Sequence, residues 1–270
     1  MGSATRQALA ASRLALSALG GNLDLAKDGL RIGEELFAAG HVIGDSKQLR
    51  QLLADPSTQA DEKKAIVASV FGPRLGSAVT GLLATIAATR WSTPDDLLSG
   101  IEELGLRSVA ESAAGGPDIE SELFTFGAAI SSDPELELAV GSRLGDKDAK
   151  VALVETLLSG KVSEQTVSIV RHLVRQPRGR RIGPSLAQAA AIVADQANMH
   201  VATITTASPL ASAQLERLRS RLSQSYGREL MVNQVVDSAV LGGVKVQIGD
   251  DIIDGSVLTR LQDLRLQLAS

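Results

Sequence analysis

The chain matches itself at a constant offset of 87 residues, and this repeat limits the fold more tightly than any other feature. Glu35-Leu36-Phe37 recurs as Glu122-Leu123-Phe124, and Gly40 and Ile43 recur as Gly127 and Ile130. Without a gap, Leu49 then falls on Leu136, Lys63 on Lys150, Ala65 on Ala152, Val67 on Val154, Val70 on Leu157, Leu82 on Ile169 and Ile86 on Leu173. Most of these positions carry core-type side chains, so the match implies two similar packed units in tandem. The unit is longer than the common helical solenoid repeats, and two copies make too short an array, which disfavours a solenoid.

The repeated units read as helical bundles. From Arg6 to about Val193 the chain consists of amphipathic segments of roughly 10–18 residues broken by Gly, Pro and Asp. Apolar residues make up 44% of the chain, yet only four Phe, Trp91 and Tyr226 are aromatic. The remainder is chiefly Ala, Leu, Val and Ile, which pack helices closely, and Ala and Leu are the strongest helix formers. Thr93-Pro94-Asp95-Asp96 sets a capping hydroxyl before a proline at the first helical position, with carboxylates where the helix dipole favours them. Ser132-Asp133-Pro134-Glu135 repeats the device. Gly115-Gly116-Pro117 marks the seam, so residues 1–113 hold the first copy and residues 114–198 the second.

After Asn198 the character changes. His200 to Thr206 is rich in β-branched residues and reads as a strand, as do residues 229–236 and Val244 to Ile248. Ser208-Pro209 is expected to open a helix that lays Leu210, Leu215, Leu218 and Leu222 on the sheet. A last helix follows Asp254-Gly255-Ser256, with Val257, Leu261, Leu264 and Leu268 on one stripe. Residues 199–270 thus form a third piece, and the fold class is mainly α with a small α+β C-terminal domain.

Several kinds of chemistry find no support in the residues. A net charge of −4 lacks the clustered positive field that nucleic acid requires. The chain has no cysteine, which excludes disulfides and thiolate chemistry and fits a reducing cytoplasm. Its longest apolar stretch near the middle, Ala189 to Ala194, is far short of the ~20 residues that span a bilayer, and the N-terminus shows no export signal. His41, His172 and His200 stand apart in sequence without metal-ligand spacing, and read as ordinary surface or packed histidines. Gly160-Lys161 is followed by Val162 instead of the hydroxyl of a phosphate-binding loop, and reads as a helix end. The acids of Gly249 to Gly255 do not alternate as a calcium loop requires, and read as a turn followed by a cap at Asp254. Arg171, Arg175, Arg178, Arg180 and Arg181 form a basic run without interleaved aromatics. A solvated loop is the expected reading, with a contact for an acidic partner or an anion as the alternatives. Catalytic residues, cofactor and metal are accordingly expected to be none.

One stretch resembles a known family. Leu230, Val232 and Val236, then Asp237, Val240, Gly242-Gly243, Val244, Val246, Gln247 and Gly249, continuing into Asp254-Gly255-Ser256, are similar to the signature of the ATP synthase δ subunit family, whose mitochondrial counterpart is the oligomycin-sensitivity-conferring protein. Ala202 to Leu210 resembles the strand-to-helix entry of the same family's C-terminal domain. These are structural residues: Gly242-Gly243 suits a tight turn and Asp254 a helix cap.

The resemblance implies a non-catalytic stator subunit of a bacterial F-type ATP synthase, peripheral on the cytoplasmic face of the plasma membrane. Its helical region would hold the N-terminal helices of α subunits, and its C-terminal domain would grip the end of the b-subunit stalk. A helix lying in an apolar groove between bundle helices is an established recognition mode. The extra length is explained by the duplicated bundle, and which copy meets the head is open at this level. The rival readings are a helical adaptor of another complex, distinguished by its partners, and an enzyme, which would need a pocket with convergent polar groups.

Overall fold

In the computed structural model the boundaries of three helices of each copy fall where the repeat places them. The structure describes residues 2–21, 23–141, 145–198, 201–208, 210–226, 231–236, 243–248 and 251–254. The first copy contains α1 (Ser3–Gly20), α2 (Leu25–Asp45), α3 (Lys47–Ala54), α4 (Ala60–Phe71), α5 (Ser77–Ala88) and α6 (Pro94–Ser112). The next helices are α7 (Ile119–Ser132), α8 (Pro134–Gly141), α9 (Lys147–Leu158), α10 (Glu164–Arg175) and α11 (Ile182–Asn198). Moved on by 87 residues, α3, α4 and α5 land on α8, α9 and α10 at both ends.

The joints repeat with the helices. Ser46 Oγ accepts from Leu49 N at the start of α3, and Asp133 Oδ1 accepts from Leu136 N at the start of α8. Glu35 on α2 accepts from Gly76 N at the head of α5 (2.8 Å), and its counterpart Glu122 accepts from Ser163 N at the head of α10 (3.1 Å). In each copy one carboxylate therefore ties an earlier helix to a half-buried helix N-terminus forty-one residues on, meeting amide donors that the helix itself leaves unpaired. Equivalent pairs are buried together: Ile32 with Ile119, Leu36 with Leu123, Ile43 with Ile130, Leu53 with Val140, and Val67 with Val154.

One helix serves both copies. Shifted by the repeat, α1 falls across α6 and α6 falls across α11, so α6 closes the first bundle and opens the second. From Leu97 to Val109 every residue of α6 except Ser99 is buried. Leu97, Leu98, Ile101 and Leu104 enter the first core, while Leu106 and Val109 enter the second. α6 is walled in on all sides over this stretch, so its polar side chains Glu102, Glu103, Arg107 and Ser108 are buried with the apolar ones. Its closest neighbour is α2, where Gly29 and Gly33 lie against the backbone of Ser108 and Gly105; a Cβ on Gly33 would stand 2.8 Å from the Gly105 carbonyl. Phe37 in turn lies over Gly105, where a methyl would collide with its ring.

The chain divides into two compact units, residues 1–193 and 194–270. In the second, β1 (Val201–Thr206), α12 (Ser212–Tyr226), β2 (Met231–Val236), β3 (Val244–Ile248) and β4 (Asp251–Asp254) form a sheet in the order β2-β1-β3-β4. β1 and β2 are parallel and joined through α12, as parallel neighbours require a crossover, while β3 and β4 run antiparallel to their neighbours. Ile204 on β1 faces Val246 on β3 across the ladder, and Leu222 of α12 covers both, with Leu210, Leu215 and Leu218 around them.

Two expectations are corrected in this unit. α12 begins at Ser212 and not at Ser208-Pro209, because Gln214 Oε1 caps Ala211 N and stops the helix there. Asp251–Asp254 is a fourth strand, where a turn was expected: β3 and β4 pair Val246 with Ile253 and Ile248 with Asp251, while the helix that Asp254 was expected to cap lies outside the described residues.

A fragment of residues 1–198 is expected to retain helical circular dichroism and a cooperative melt. A random-coil spectrum would refute the independence of the helical part.

Candidate functional site

A buried cluster of charged and polar side chains lies where the two copies meet. Glu102 on α6 is buried. Arg180 reaches it with both terminal nitrogens, Nη1 to Oε1 and Nη2 to Oε2, each at 2.8 Å, a paired fork on a carboxylate. Arg178 Nη2 lies 2.9 Å from Oε2, and its Nη1 donates to Ser99 Oγ at 3.1 Å. Both arginines come from the loop between α10 and α11. Arg178 itself has φ of 48° and Gly179 has 77°, consecutive left-handed residues that turn the loop back on α6.

Two histidines complete the cluster. His172 on α10 places Nε2 3.1 Å from Glu102 Oε2 and Nδ1 3.0 Å from His41 Nε2 on α2. A carboxylate only accepts, so His172 Nε2 carries the proton and donates; its Nδ1 then accepts from His41 Nε2–H. Phe37 stacks on His172 at 4.0 Å between ring centroids. Outside this pair lies a groove of about 480 Å³ whose lining includes Glu34, Phe37, His41, Arg171 and Arg175.

Electrostatics keeps both rings neutral. Burial, helped by His172 and Arg175, pushes His41 down to about 4, and burial lowers His172 as well, against the pull of Glu102. For Glu102 burial acts upward, but His172, Arg180 and Arg178 together hold its carboxyl well below the usual range. The result is one carboxylate between two guanidiniums, with both nitrogens of His172 engaged. Nothing here is placed to take or give a proton to a substrate, and the arrangement acts as a clasp between α2, α6, α10 and the following loop.

This overturns one reading of the sequence and adds to another. The loop arginines Arg178 and Arg180 are not solvated but clamped on Glu102, whereas Arg175 and Arg181 are exposed and Arg171 and Arg175 make surface pairs with Glu155, Glu34 and Asp148. His41 and His172 are packed histidines, and a separation of 131 residues in sequence becomes 3.0 Å in space, a contact the sequence did not show. Among the described residues no three His, Asp or Glu side chains gather as a metal site would require, and no helix is long and apolar enough to cross a membrane.

The signature residues lie in the other unit. Gly243 is exposed and has φ of 86°, a conformation that glycine adopts without strain, just before β3. Asp254 ends β4 opposite Lys245. Asp237, Gly242, Gly249, Gly255 and Ser256 lie outside the described residues, as do His200 and the expected last helix.

Comparison with known proteins now decides the family. Residues 106–268, more than half the chain, match the family described as ATP synthase delta (OSCP) subunit. The chain belongs to this ATP synthase delta family. The match begins inside α6, so it takes in the second copy and the C-terminal unit and leaves out most of the first copy. The first copy is nevertheless shared by long relatives. "ATP synthase subunit delta" of Leifsonia xyli subsp. xyli is 54% identical over 269 residues, covering 100% of both chains. The protein of that name in Streptomyces avermitilis is 37% identical over 99% of this chain and 98% of its own. As a delta-family member the chain is a non-catalytic stator subunit of the ATP synthase, in keeping with a clasp that binds helices and does no chemistry.

The clasp makes stability sensitive to acid. His41 and His172 take up protons more readily unfolded than folded, so stability falls as pH drops from about 6.5 towards 4. Glu102 is depressed in the fold, so its contribution is present above the ordinary carboxylate range and is lost on further acidification. All three act in one direction. Urea unfolding of the full chain should show falling stability from pH 7 to pH 4. Glu102→Gln, which strands two partly buried arginines, should cost about 3 kcal/mol at pH 7. An unchanged midpoint would mean that the clasp is not holding the copies together.

Proposed function

We propose that this subunit joins α subunits of the catalytic head to the b-subunit stalk on the cytoplasmic face of the plasma membrane. The observation that carries the reading is the full-length match to delta subunits. It is supported by the architecture: helical bundles offer grooves for a partner helix, while the stretch that resembles the family signature belongs to the smaller α+β unit. In this reading the helical region, residues 1–113 and 114–198, takes the N-terminal helices of α, and residues 199–270 grip the end of b. The joint makes and breaks no bond. It holds the head against the torque of the turning shaft, so that proton flow drives catalytic change and not idle co-rotation.

The first test is composition. The tagged chain, extracted from native membranes in mild detergent, should bring down α, β and b together; a different set of subunits would transfer it to the adaptor reading. The second test separates stalk from head. Gly243→Val forces a β-branched residue into left-handed backbone, a strain of about 1–3 kcal/mol. It should weaken retention of b and uncouple ATP synthesis while the head still hydrolyses ATP. Full coupling in the purified variant enzyme would remove Gly243 from the joint.

A further inference from the structure

The repeat places two equivalent grooves in the chain, and the molecule fills one of them itself. In the second copy the groove lies between α6 and α10. Leu98, Ile101 and Gly105 on α6 and Ser168 and His172 on α10 are all buried there. Their cover is α2 of the first copy: Phe37 rests over Gly105 and on His172, His41 bonds His172, and Gln176 Nε2 donates to the Gly40 carbonyl at 3.2 Å. Gly44 approaches the same Gln176 side chain. Leu30 and Phe37 of α2 belong to the second core, although Ile32, Leu36 and Ile43 on the same helix belong to the first.

Eighty-seven residues earlier, the same positions fall on α1 and α5, which pack side by side. Leu98, Ile101 and Gly105 become Ala11, Leu14 and Ala18; Ser168 and His172 become Gly81 and Thr85. Here they are uncovered. Leu14 is 71% exposed, and Ala11, Ala18, Gly81 and Thr85 are exposed with it. The position of Glu102 is Ala15, so the face has lost the carboxylate that bonds His172 and carries small, uncharged side chains instead. At one end it opens into a cavity of about 1130 Å³ between Gln7, Ala11 and the Thr89–Thr93 segment.

We propose that α2 is a built-in occupant of the second copy's groove, and that the equivalent α1–α5 groove of the first copy is the one that receives a helix from outside. This rests on the reading that the helical region docks on the head, and it assigns that docking to the first copy, which lies mostly outside the family match. The internal complex also states what the occupant must be. It is an amphipathic helix with an uncharged apolar stripe. Where α2 has Phe37 it bears a small or aliphatic residue, because the methyl of Ala18 fills the space that Gly105 leaves for the ring. Its direction follows as well. The C-terminal turn of α2 lies at Gln176, whose counterpart is Thr89, so the incoming helix ends at Thr89–Arg90. A guanidinium there suits the carbonyls of a helix C-terminus.

The absence of native cysteine allows a clean test in the assembled enzyme. Thr85→Cys in the first groove and Arg171→Cys beside the second are each labelled with a photoactivated crosslinker. The proposal requires a product with the N-terminal segment of α from position 85 and none from position 171. A product from position 171 alone overturns the groove assignment while keeping the head-docking reading. If neither position, nor cysteines placed over the other exposed helix faces, reaches α, the docking reading itself falls and this proposal with it. Thr85→Arg should also lower retention of α at least tenfold with little change in Tm, whereas Phe124→Glu on the exposed face of α7 should leave it unaltered. Equal retention in the two variants would overturn the assignment.

Discussion

The helical unit depends on one helix belonging to two cores. α6 cannot turn a polar side to water, so almost every residue along thirteen positions must satisfy one bundle or the other. Where α2 approaches, glycines on both helices remove the side chains and let the backbones close up. Where a charge falls on α6, a partner must be supplied from elsewhere. Glu103 is met by Arg13 from α1 and by Arg107 one turn on, and Glu102 by the two loop arginines and His172. Buried carboxylates left without these partners would cost several kcal/mol.

That requirement gives the loop after α10 its unusual backbone. A buried ion pair adds little net stability over an apolar contact, but it discriminates strongly against misplacement, since a shifted arginine would leave a stranded charge. Arg178 accepts a left-handed conformation, and Arg180 then meets both oxygens of one carboxylate. The first copy, with Ala15 and Trp91 at the positions of Glu102 and Arg178, has no such demand. Trp91 instead turns inward and donates to the Ile86 carbonyl at 2.9 Å. Two copies of one bundle have thus diverged at the surface where one receives the other.

Much of this was legible in the sequence. The 87-residue offset, the cap at Thr93 and the core positions transfer directly to helices, because periodicity and capping are local properties. Gly160, read as a helix end, has φ of 67° just after α9. The strand after Asn198 and the leucine face of α12 follow from the same local patterns. What escaped was set by distance in sequence. Nothing near His41 announces His172, and nothing near Glu102 announces a loop some eighty residues on. A run of arginines looks solvated until its carboxylate is located. The shared role of α6 was hidden for a related reason: a helix buried all round shows no stripe, and a seam at Gly115-Gly116-Pro117 suggests separate bundles where one helix is held in common. β4 was missed because its four residues, two acids flanking two isoleucines and ending at the family's cap position, are too short a segment for alternation to declare itself.

A stator is judged by how little it yields under torque, and the shared helix bears on that directly. Two bundles joined by a flexible linker could swing about it, and any swing would store or lose part of each rotational step. With α6 common to both cores, such a swing would have to expose apolar side chains on one side or break the Glu102 clasp on the other. Packed interiors resist small displacements because close-packed side chains offer no continuous path between arrangements. Lengthening a joint normally makes it more compliant. Lengthening it by a bundle that interlocks with its twin, through α6 from within and α2 from outside, extends its reach while leaving no hinge between the copies.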